Sequence, residues 1–191
     1  HLSEDAALVE GFRRGADIHA AVAAELSGQP PDRVEPRWRD VAKAVNFGII
    51  YGQTPFGLSR QLKIPADEAK AYIERFFGRY PGVRAFLDRT VAEARKTGEV
   101  RTLRGRRRLI PDLGAQNRDR RAAAERTAVN TVVQGSAADL IKLAMLRVDA
   151  ALAARGRDAA LCVQIHDELL REARAAAADA VAREVATAMS G

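Results

Sequence analysis

Apolar residues recur at the three- to four-residue spacing of an α-helix along most of this 191-residue chain. This period predicts helices, because residues three and four apart lie on one face and can be buried together. The helical spacing is lost in two places, because the residues on both sides of 104 alternate and residues 159–165 form a short apolar run. Each place predicts a pair of short strands. The sequence therefore predicts an α+β fold that is mostly helical, with a small antiparallel β-sheet in its C-terminal third.

Glycine and proline suggest where the elements begin and end. Helices are predicted over 4–27 with a break at Gly15, and over 36–51, 54–62, 66–80, 82–96, 118–133, 136–155 and 175–189. Gly135 is expected to end one helix and Ser136 to cap the next. The residues of that next helix that are expected to face inward are Leu140, Ile141, Ala144, Val148 and Leu152.

Strands are predicted on both sides of two turns. A basic β-hairpin is expected over 99–110, around Arg104-Gly105. A buried strand is expected over 159–165, a turn at His166-Asp167, and a second strand over 168–172.

Composition excludes several classes of protein. No window approaches the 18 or so uncharged apolar residues of a membrane span, so no membrane partner is expected. The single cysteine, Cys162, excludes an internal disulfide, and three histidines leave no zinc cluster. We expect a cytoplasmic protein. Because position 1 is not Met, we also expect a piece of a longer chain.

The excess positive charge of the chain is concentrated in one segment. Residues 101–126 contain nine Arg against three acidic residues, a net charge of +6, which equals the net charge of the whole chain. Such clustering is typical of a surface that contacts a polyanion. The alternative is a solvated basic loop.

Four residues recur every four positions on the predicted helix over 36–51, namely Arg39, Lys43, Phe47 and Tyr51. This spacing keeps them near one face. Arginine can pair with phosphate oxygens and lysine supplies a point charge or a proton, whereas aromatic rings can stack on a base. The alternative is an amphipathic helix whose rings belong to the core.

Two further patterns carry polar residues at defined positions. Asp167 and Glu168 fall at the tip of the predicted hairpin, where carboxylates could hold Mg²⁺, although an ordinary polar hairpin has the same pattern. Arg126, Asn130 and Gln134 also step by four and could contact the minor groove of a duplex. They could equally satisfy the end of a helix.

Taken in order along the chain, these patterns resemble the family A DNA polymerases. Arg39 to Gly52 resembles their motif B and Gln164 to Glu168 their motif C. The segments 102–108, 133–139 and 17–19 also resemble stretches of that family, so the resemblance covers essentially all 191 residues.

The resemblance implies an incomplete right-hand polymerase fold and a DNA-directed DNA polymerase that extends a primer in replication or repair. Residues 1–20 would lead from palm to fingers, 21–125 would form the fingers with the basic hairpin, and 126–191 would form part of the palm with motif C. The implied partners are primer-template DNA and dNTPs, and the complete enzyme is expected to be a monomer.

The resemblance also assigns roles to residues that bind the incoming dNTP. Arg39 and Lys43 would bind its phosphates, and Lys43 would act as general acid toward the leaving pyrophosphate. Phe47 would stack near the base and sugar, Tyr51 would gate the template, and His19 would contact the triphosphate.

The implied metal and DNA contacts involve other residues. Asp167 would ligate two catalytic Mg²⁺ ions, with Glu168 as a secondary carboxylate. His166 would lie near the primer terminus. The residues expected to contact DNA elsewhere are Arg104, Arg106, Arg107, Arg108, Arg126, Asn130 and Gln134.

The family's motif A, thumb and nuclease regions have no counterpart in the chain, and Arg171 and Arg174 replace residues that are usually apolar or proline. We therefore expect the isolated chain to be inactive.

A non-catalytic nucleic-acid-binding module with the same fold is the alternative, but the joint presence of Arg39, Lys43 and Asp167 argues against it. A nucleotide-binding enzyme of another class would need a P-loop or a GxGxxG motif, and the sequence contains neither.

Overall fold

The computed structural model of the chain describes residues 1–30, 33–154, 158–165 and 168–190. Its α-helices are α1 (Ala6–Arg13), α2 (Ile18–Ser27), α3 (Pro36–Ile50), α4 (Pro55–Leu62), α5 (Ala66–Arg79), α6 (Pro81–Thr97), α7 (Arg118–Ala153) and α8 (Ala178–Ser190). Two antiparallel sheets pair β1 (Glu99–Arg101) with β2 (Arg107–Leu109), and β3 (Ala159–Ile165) with β4 (Glu168–Ala173). The predicted α+β class, mostly helical, is confirmed. No helix in the described ranges combines the length and apolar character needed to cross a membrane.

Local sequence explains most of the helix ends. The side chains of Asp5, Asp17 and Thr54 each accept a hydrogen bond from the backbone N–H three residues further on, which caps α1, α2 and α4. Gly28 and Gly98 end α2 and α6 in the left-handed conformation, with φ of 67° and 74°, which glycine adopts without steric cost.

The chain divides into two compact units, His1–Val133 and Gln134–Gly191. The division expected from the polymerase resemblance, into 1–20, 21–125 and 126–191, concerns functional parts and stays a prediction.

The core of the first unit is formed mainly by α2, α3 and α5. Its buried residues on these helices are Val22, Ala23, Leu26, Ala42, Val45, Ile49, Ala69, Tyr72 and Phe76. Arg75 of α5 donates a hydrogen bond of 2.8 Å to the backbone carbonyl of Leu26, which satisfies a free carbonyl at the end of α2. Because α3 faces this core with one side, its opposite side is exposed.

The basic hairpin is confirmed, with strands shorter than predicted. Val100 pairs with Arg108 in the β1–β2 register, and Val100 and Ile110 are buried. The turn holds Gly105 at φ 81°, and Thr102 N–H donates to the carbonyl of Arg106 over 3.0 Å. The turn therefore includes residues that the alternating pattern had predicted to be part of the two strands.

The predicted helix break at Gly135 is wrong, because a single helix, α7, runs from Arg118 to Ala153. Glycine inside a helix costs only about 1 kcal/mol relative to alanine, and the many alanines on either side of it favour helix. Ser136 is a buried residue within the helix and does not cap one.

The second unit packs α7 and α8 against one face of the β3–β4 sheet. Its buried residues are Val148, Leu152, Ala159, Val181 and Val185. The second strand of this sheet is confirmed, whereas the predicted turn at residues 166–167 lies outside the described residues.

Two burial predictions for the second unit are wrong. The strand over 159–165 is not buried along its length, since Val163 and Ile165 are 44% and 52% exposed. Leu140 does not face inward and is 51% exposed. In the strand, a β-bulge between Leu161 and Val163 turns the following residues to the face away from the core. On α7 the core residues are Val148 and Leu152, near the end of the helix.

Candidate functional site

The predicted row of residues on α3 lies outside the core. Arg39, Lys43 and Phe47 are on the helix and Tyr51 follows at its C-terminal end. The rings of Phe47 and Tyr51 are stacked, with centroids 6.5 Å apart and an interplanar angle of 16°. The two residues are 50% and 41% exposed. This exposure excludes the alternative in which both rings are core residues.

The stacked rings line an open cavity of about 510 Å³. The residues around it are Ala44, Phe47, Gly48, Tyr51, Gln53, Gln61 and Arg126. Arg126 comes from α7, so the cavity brings together a predicted nucleotide-binding segment and a predicted DNA-binding residue. The cavity therefore presents both aromatic rings and polar side chains on one concave surface.

Gly52 makes the approach of Arg126 possible. Its φ of 66° is in the left-handed region, and a Cβ at this position would lie 2.7 Å from Cγ of Arg126. A side chain at residue 52 would therefore be strained by the backbone and would also collide with Arg126.

Sequence reasoning missed two glutamines in this cavity. Nε2 of Gln53 donates a hydrogen bond of 2.9 Å to Oε1 of Gln61. A Cβ on Gly48 would lie 2.3 Å from Oε1 of Gln53, so the amide of Gln53 fills the space beside this glycine. The spacing of residues along α3 contains no signal for this contact.

Arg39 is paired with a carboxylate on α2. Its Nη1 donates to Oδ2 of Asp17, while Oδ1 of Asp17 caps α2 by accepting from the N–H of Ala20 over 3.1 Å. Lys43 has a weaker partner, since its Nζ lies 3.7 Å from Oδ1 of Asp40. Both cations remain partly exposed, so both can reach an anion.

The contact with Arg39 gives the first testable prediction. The pKa of Asp17 lies below its ordinary value, mainly because Arg39 donates a hydrogen bond to the carboxylate and also because Ala20 N–H does so. A lowered pKa stabilises the fold above the ordinary value of about 3.9, and this contribution is lost as pH falls through the folded-state pKa. Replacing Arg39 with alanine should raise the pKa of Asp17.

The titration can be followed by NMR of the aspartate carboxyl carbons. Arg37→Ala is the matched control, because Arg37 pairs with Glu35 at 3.0 Å. An Asp17 pKa that is the same in wild type and Arg39→Ala would contradict the assigned ion pair.

His19, the predicted triphosphate contact, lies next to α3. Its Nδ1 is 2.7 Å from Nδ2 of Asn46, and its ring centroid is 5.9 Å from that of Phe47. The packing of α2 on α3 thus brings His19 to the same face as the predicted phosphate-binding and base-stacking residues. Asn46 is a further residue that sequence reasoning missed.

The predicted DNA-binding arginines of the hairpin are exposed. Arg104, Arg106, Arg107 and Arg108 all lie on the surface. Arg107 forms an ion pair of 3.5 Å with Glu99, and Arg108 donates a hydrogen bond of 3.0 Å to Thr131 of α7. The first contact partly neutralises the hairpin and the second fixes Arg108 against α7.

The other predicted DNA contacts lie on α7. Arg126 and Gln134 are exposed, whereas Asn130 is half-buried. The Oδ1 atom of Asn130 is buried and has no hydrogen-bond partner among the described residues. Because α7 is continuous, the three residues keep the helical spacing predicted for them.

The predicted metal site falls partly outside the structure as described. His166 and Asp167 lie outside the described residues. Glu168 is exposed at the start of β4, opposite Ile165 of β3. Carboxylate oxygens suit Mg²⁺, so the type of donor fits. Among the described residues, however, no group of three or more His, Cys, Asp or Glu side chains is placed to hold a metal.

The sequence profile of DNA polymerase family A matches residues 1–191, and the chain therefore belongs to that family. DNA polymerase I of Pseudomonas aeruginosa is 46% identical over 191 residues, which is 100% of this chain and 21% of the relative. The thermostable DNA polymerase I of Thermus thermophilus is 49% identical over 189 residues, 99% of this chain and 22% of the relative. The chain thus spans about a fifth of the length of these relatives.

A solved structure has the same fold. It is described as the POL domain of Pol1 from M. smegmatis in complex with DNA primer-template and dNTP. The TM-score is 0.94 with 44% identity, and the match covers 99% of this chain and 33% of the other. The family predicted from the motifs is confirmed, as is the mostly helical polymerase fold.

Proposed function

We propose that this chain is the part of a DNA-directed DNA polymerase that selects the incoming dNTP and contacts the primer-template duplex. The observation that carries the proposal is the exposed row on α3, where two cations precede two stacked rings at the edge of a cavity. The related structure in complex with primer-template and dNTP supports it. In the complete polymerase the chain would act together with the parts of the protein that lie outside it.

The proposed roles on α3 follow from charge and shape. Arg39 and Lys43 bind the triphosphate, because a guanidinium and an ammonium can each donate to phosphate oxygens. Phe47 stacks near the base and sugar of the nucleotide, and Tyr51, at the C-terminal end of α3, gates the entry of the next template base. Lys43 also donates a proton to the leaving pyrophosphate.

The proposed DNA contacts involve α7 and the hairpin. Arg126, Asn130 and Gln134 donate to the minor groove near the primer end, and His166 contacts the primer terminus. The arginines of the hairpin neutralise backbone phosphates, which would make binding strongly dependent on salt.

The proposed reaction is attack of the primer 3′-hydroxyl on the α-phosphate of the dNTP. Asp167, with Glu168 beside it, is the proposed ligand for Mg²⁺. Two such ions, when bound, stabilise the attacking and leaving oxygens of an in-line displacement. This chain's own contribution is to orient the triphosphate through Arg39 and Lys43 and to supply the proton from Lys43.

The second testable prediction concerns Phe47. In family A polymerases Phe at this position discriminates against dideoxynucleotides and Tyr accepts them, so we expect the complete polymerase to prefer dNTPs. Phe47→Tyr should reduce that preference and leave dNTP incorporation nearly unchanged, as measured by competitive single-nucleotide incorporation. Phe56→Tyr is the matched control, because Phe56 is 65% exposed on α4. If the wild-type enzyme already accepts both nucleotides equally, the placement of Phe47 beside the sugar is wrong.

We also propose that the 191-residue chain alone does not extend a primer. Asp167 and Glu168 are neighbours in the sequence, and the chain has no counterpart of the family's motif A, which supplies the other metal-binding aspartate. Primer extension with Mg²⁺, run beside an Asp167→Ala variant, tests this proposal. Extension that disappears in the variant would contradict it and would mean that a second metal ligand is present in the chain.

A further inference from the structure

Asn46 is a polar residue with no role in the function proposed above. It lies on α3 between Lys43 and Phe47 and is only 7% exposed. Its neighbours Val45 and Ile49 belong to the hydrophobic core. Burying an amide in such surroundings is unfavourable unless its donors and acceptor are paired, so the contacts that Asn46 makes are informative.

The side chain of Asn46 is paired at one end only. Nδ2 lies 2.7 Å from Nδ1 of His19, whereas Oδ1 is buried and has no hydrogen-bond partner in the described part of the chain. With its nitrogen toward His19, the amide of Asn46 donates and Nδ1 of His19 accepts. In this arrangement a neutral imidazole carries its proton on Nε2.

The other ring nitrogen of His19, Nε2, forms no hydrogen bond to any of the described residues. The residue is half-buried beside Phe47. An Nε2–H group can donate to a phosphate oxygen. The opposite tautomer would present a lone pair to the same oxygen, and the two would repel each other.

We propose that Asn46 is a positioning residue that holds His19 in the Nε2-protonated tautomer before a nucleotide binds. The site then offers the triphosphate a ready donor, and no proton has to move when the dNTP arrives. Asn46 itself does not touch the nucleotide. The benefit to dNTP binding depends on the proposed function, whereas the tautomer is a property of the nucleotide-free chain.

The tautomer can be measured directly in the 191-residue chain. The protein is labelled with ¹⁵N-histidine, and the ring nitrogens are observed by NMR at about pH 8, above the ordinary histidine pKa of about 6.5. The chain has three histidines, and a His19→Gln sample identifies the signals of His19. We expect Nε2 at the frequency of a protonated nitrogen and Nδ1 at that of an unprotonated one. A protonated Nδ1, or the averaged signals of a free imidazole, would overturn the proposal.

Variants at position 46 test whether Asn46 is the cause. Asn46→Asp can only accept, so it should move the proton of His19 to Nδ1. Asn46→Leu has no donor, so the two nitrogens should give averaged signals. Asn117→Asp is the matched control, because Asn117 only caps the start of α7, and it should leave His19 unchanged. A wild-type pattern in Asn46→Leu would overturn the proposal, and the wild-type measurement decides even if a variant fails to fold.

A double-mutant cycle separates positioning from general structural damage. In the complete polymerase, Asn46→Leu should weaken dNTP binding by up to about tenfold, because His19 loses its fixed ring orientation as well as its fixed tautomer, and the loss cannot exceed the hydrogen bond that His19 donates. In a His19→Ala background the same substitution should have no further effect. Equal losses in both backgrounds would overturn the positioning role. If wild type binds no dNTP but shows the predicted tautomer, the proposed function fails and the inference about His19 stands.

Discussion

Replacing Lys43 with alanine in the complete polymerase is expected to slow nucleotide addition by about 10²- to 10⁴-fold, the usual contribution of a general acid. DNA affinity should change little, because Lys43 lies on the α3 face with Arg39 and Phe47 and outside the basic hairpin. The rate is measured in a single turnover at saturating dNTP, so that weaker binding of the nucleotide does not contribute. An unchanged rate would remove Lys43 from the mechanism.

Two further variants separate the proton of Lys43 from its charge. Lys43→Arg keeps the positive charge but cannot give up a proton at neutral pH, so it should stay nearly as slow as alanine if Lys43 is the acid. Recovery of the rate in Lys43→Arg would mean that only the charge matters. Lys70→Ala is the matched control, since Lys70 forms a similar exposed ion pair of 3.8 Å with Glu74 on α5.

Neutralising four arginines of the hairpin is the second change with a large expected effect. The substituted residues are Arg104, Arg106, Arg107 and Arg108. Each phosphate contact contributes about 0.9 to the slope of log affinity against log salt, so four contacts contribute up to about 3.6. Binding of the four-glutamine variant to primer-template DNA should be weaker and much less dependent on salt, as measured by titration between low and physiological ionic strength.

A control variant with the same net charge as the hairpin variant shows whether the loss of salt dependence is specific to the hairpin. Four other exposed arginines each form an ion pair with a nearby carboxylate, namely Arg14, Arg37, Arg84 and Arg174. Changing these to glutamine should leave the salt slope close to that of wild type. Equal slopes for wild type and the hairpin variant would identify the hairpin as a solvated basic loop.

The α3 face could be predicted from sequence because a single helix determines it. A four-residue repeat keeps Arg39, Lys43 and Phe47 on one face whatever the helix packs against. The exposure of Phe47 and Tyr51 in the structure then excluded the alternative in which both rings belong to the hydrophobic core. The family followed from two such local motifs at the right distance along the chain.

The partners of these residues could not be predicted in the same way. Asp17 and Asn46 are candidates for the nucleotide site only because α2 packs on α3 in a particular register, which brings them to Arg39 and His19. Gln53 lines the cavity together with Gln61 of α4, to which it donates a hydrogen bond. Side-chain spacing within one helix contains no information on that register. A buried amide next to a histidine is visible only once both helices are in place.

The errors in the fold have a related cause. The break predicted at Gly135 relied on a local preference of about 1 kcal/mol, which a long run of good helix formers outweighs. The burial predicted for residues 159–165 relied on apolar composition alone. Val163 and Ile165 are exposed because the β-bulge after Leu161 turns them to the face of the sheet that lies away from the core of α7 and α8.

The central claim is that the incoming nucleotide binds on the exposed face of α3, and photo-affinity labelling tests it most directly. The complete polymerase, bound to primer-template, is irradiated with a photoreactive dNTP complementary to the template base, and the labelled peptide is identified by mass spectrometry. We predict labelling within residues 36–51, and protection by the natural dNTP that pairs with the template but not by the other three. Labelling confined to other segments, or protection independent of the template base, would contradict the account.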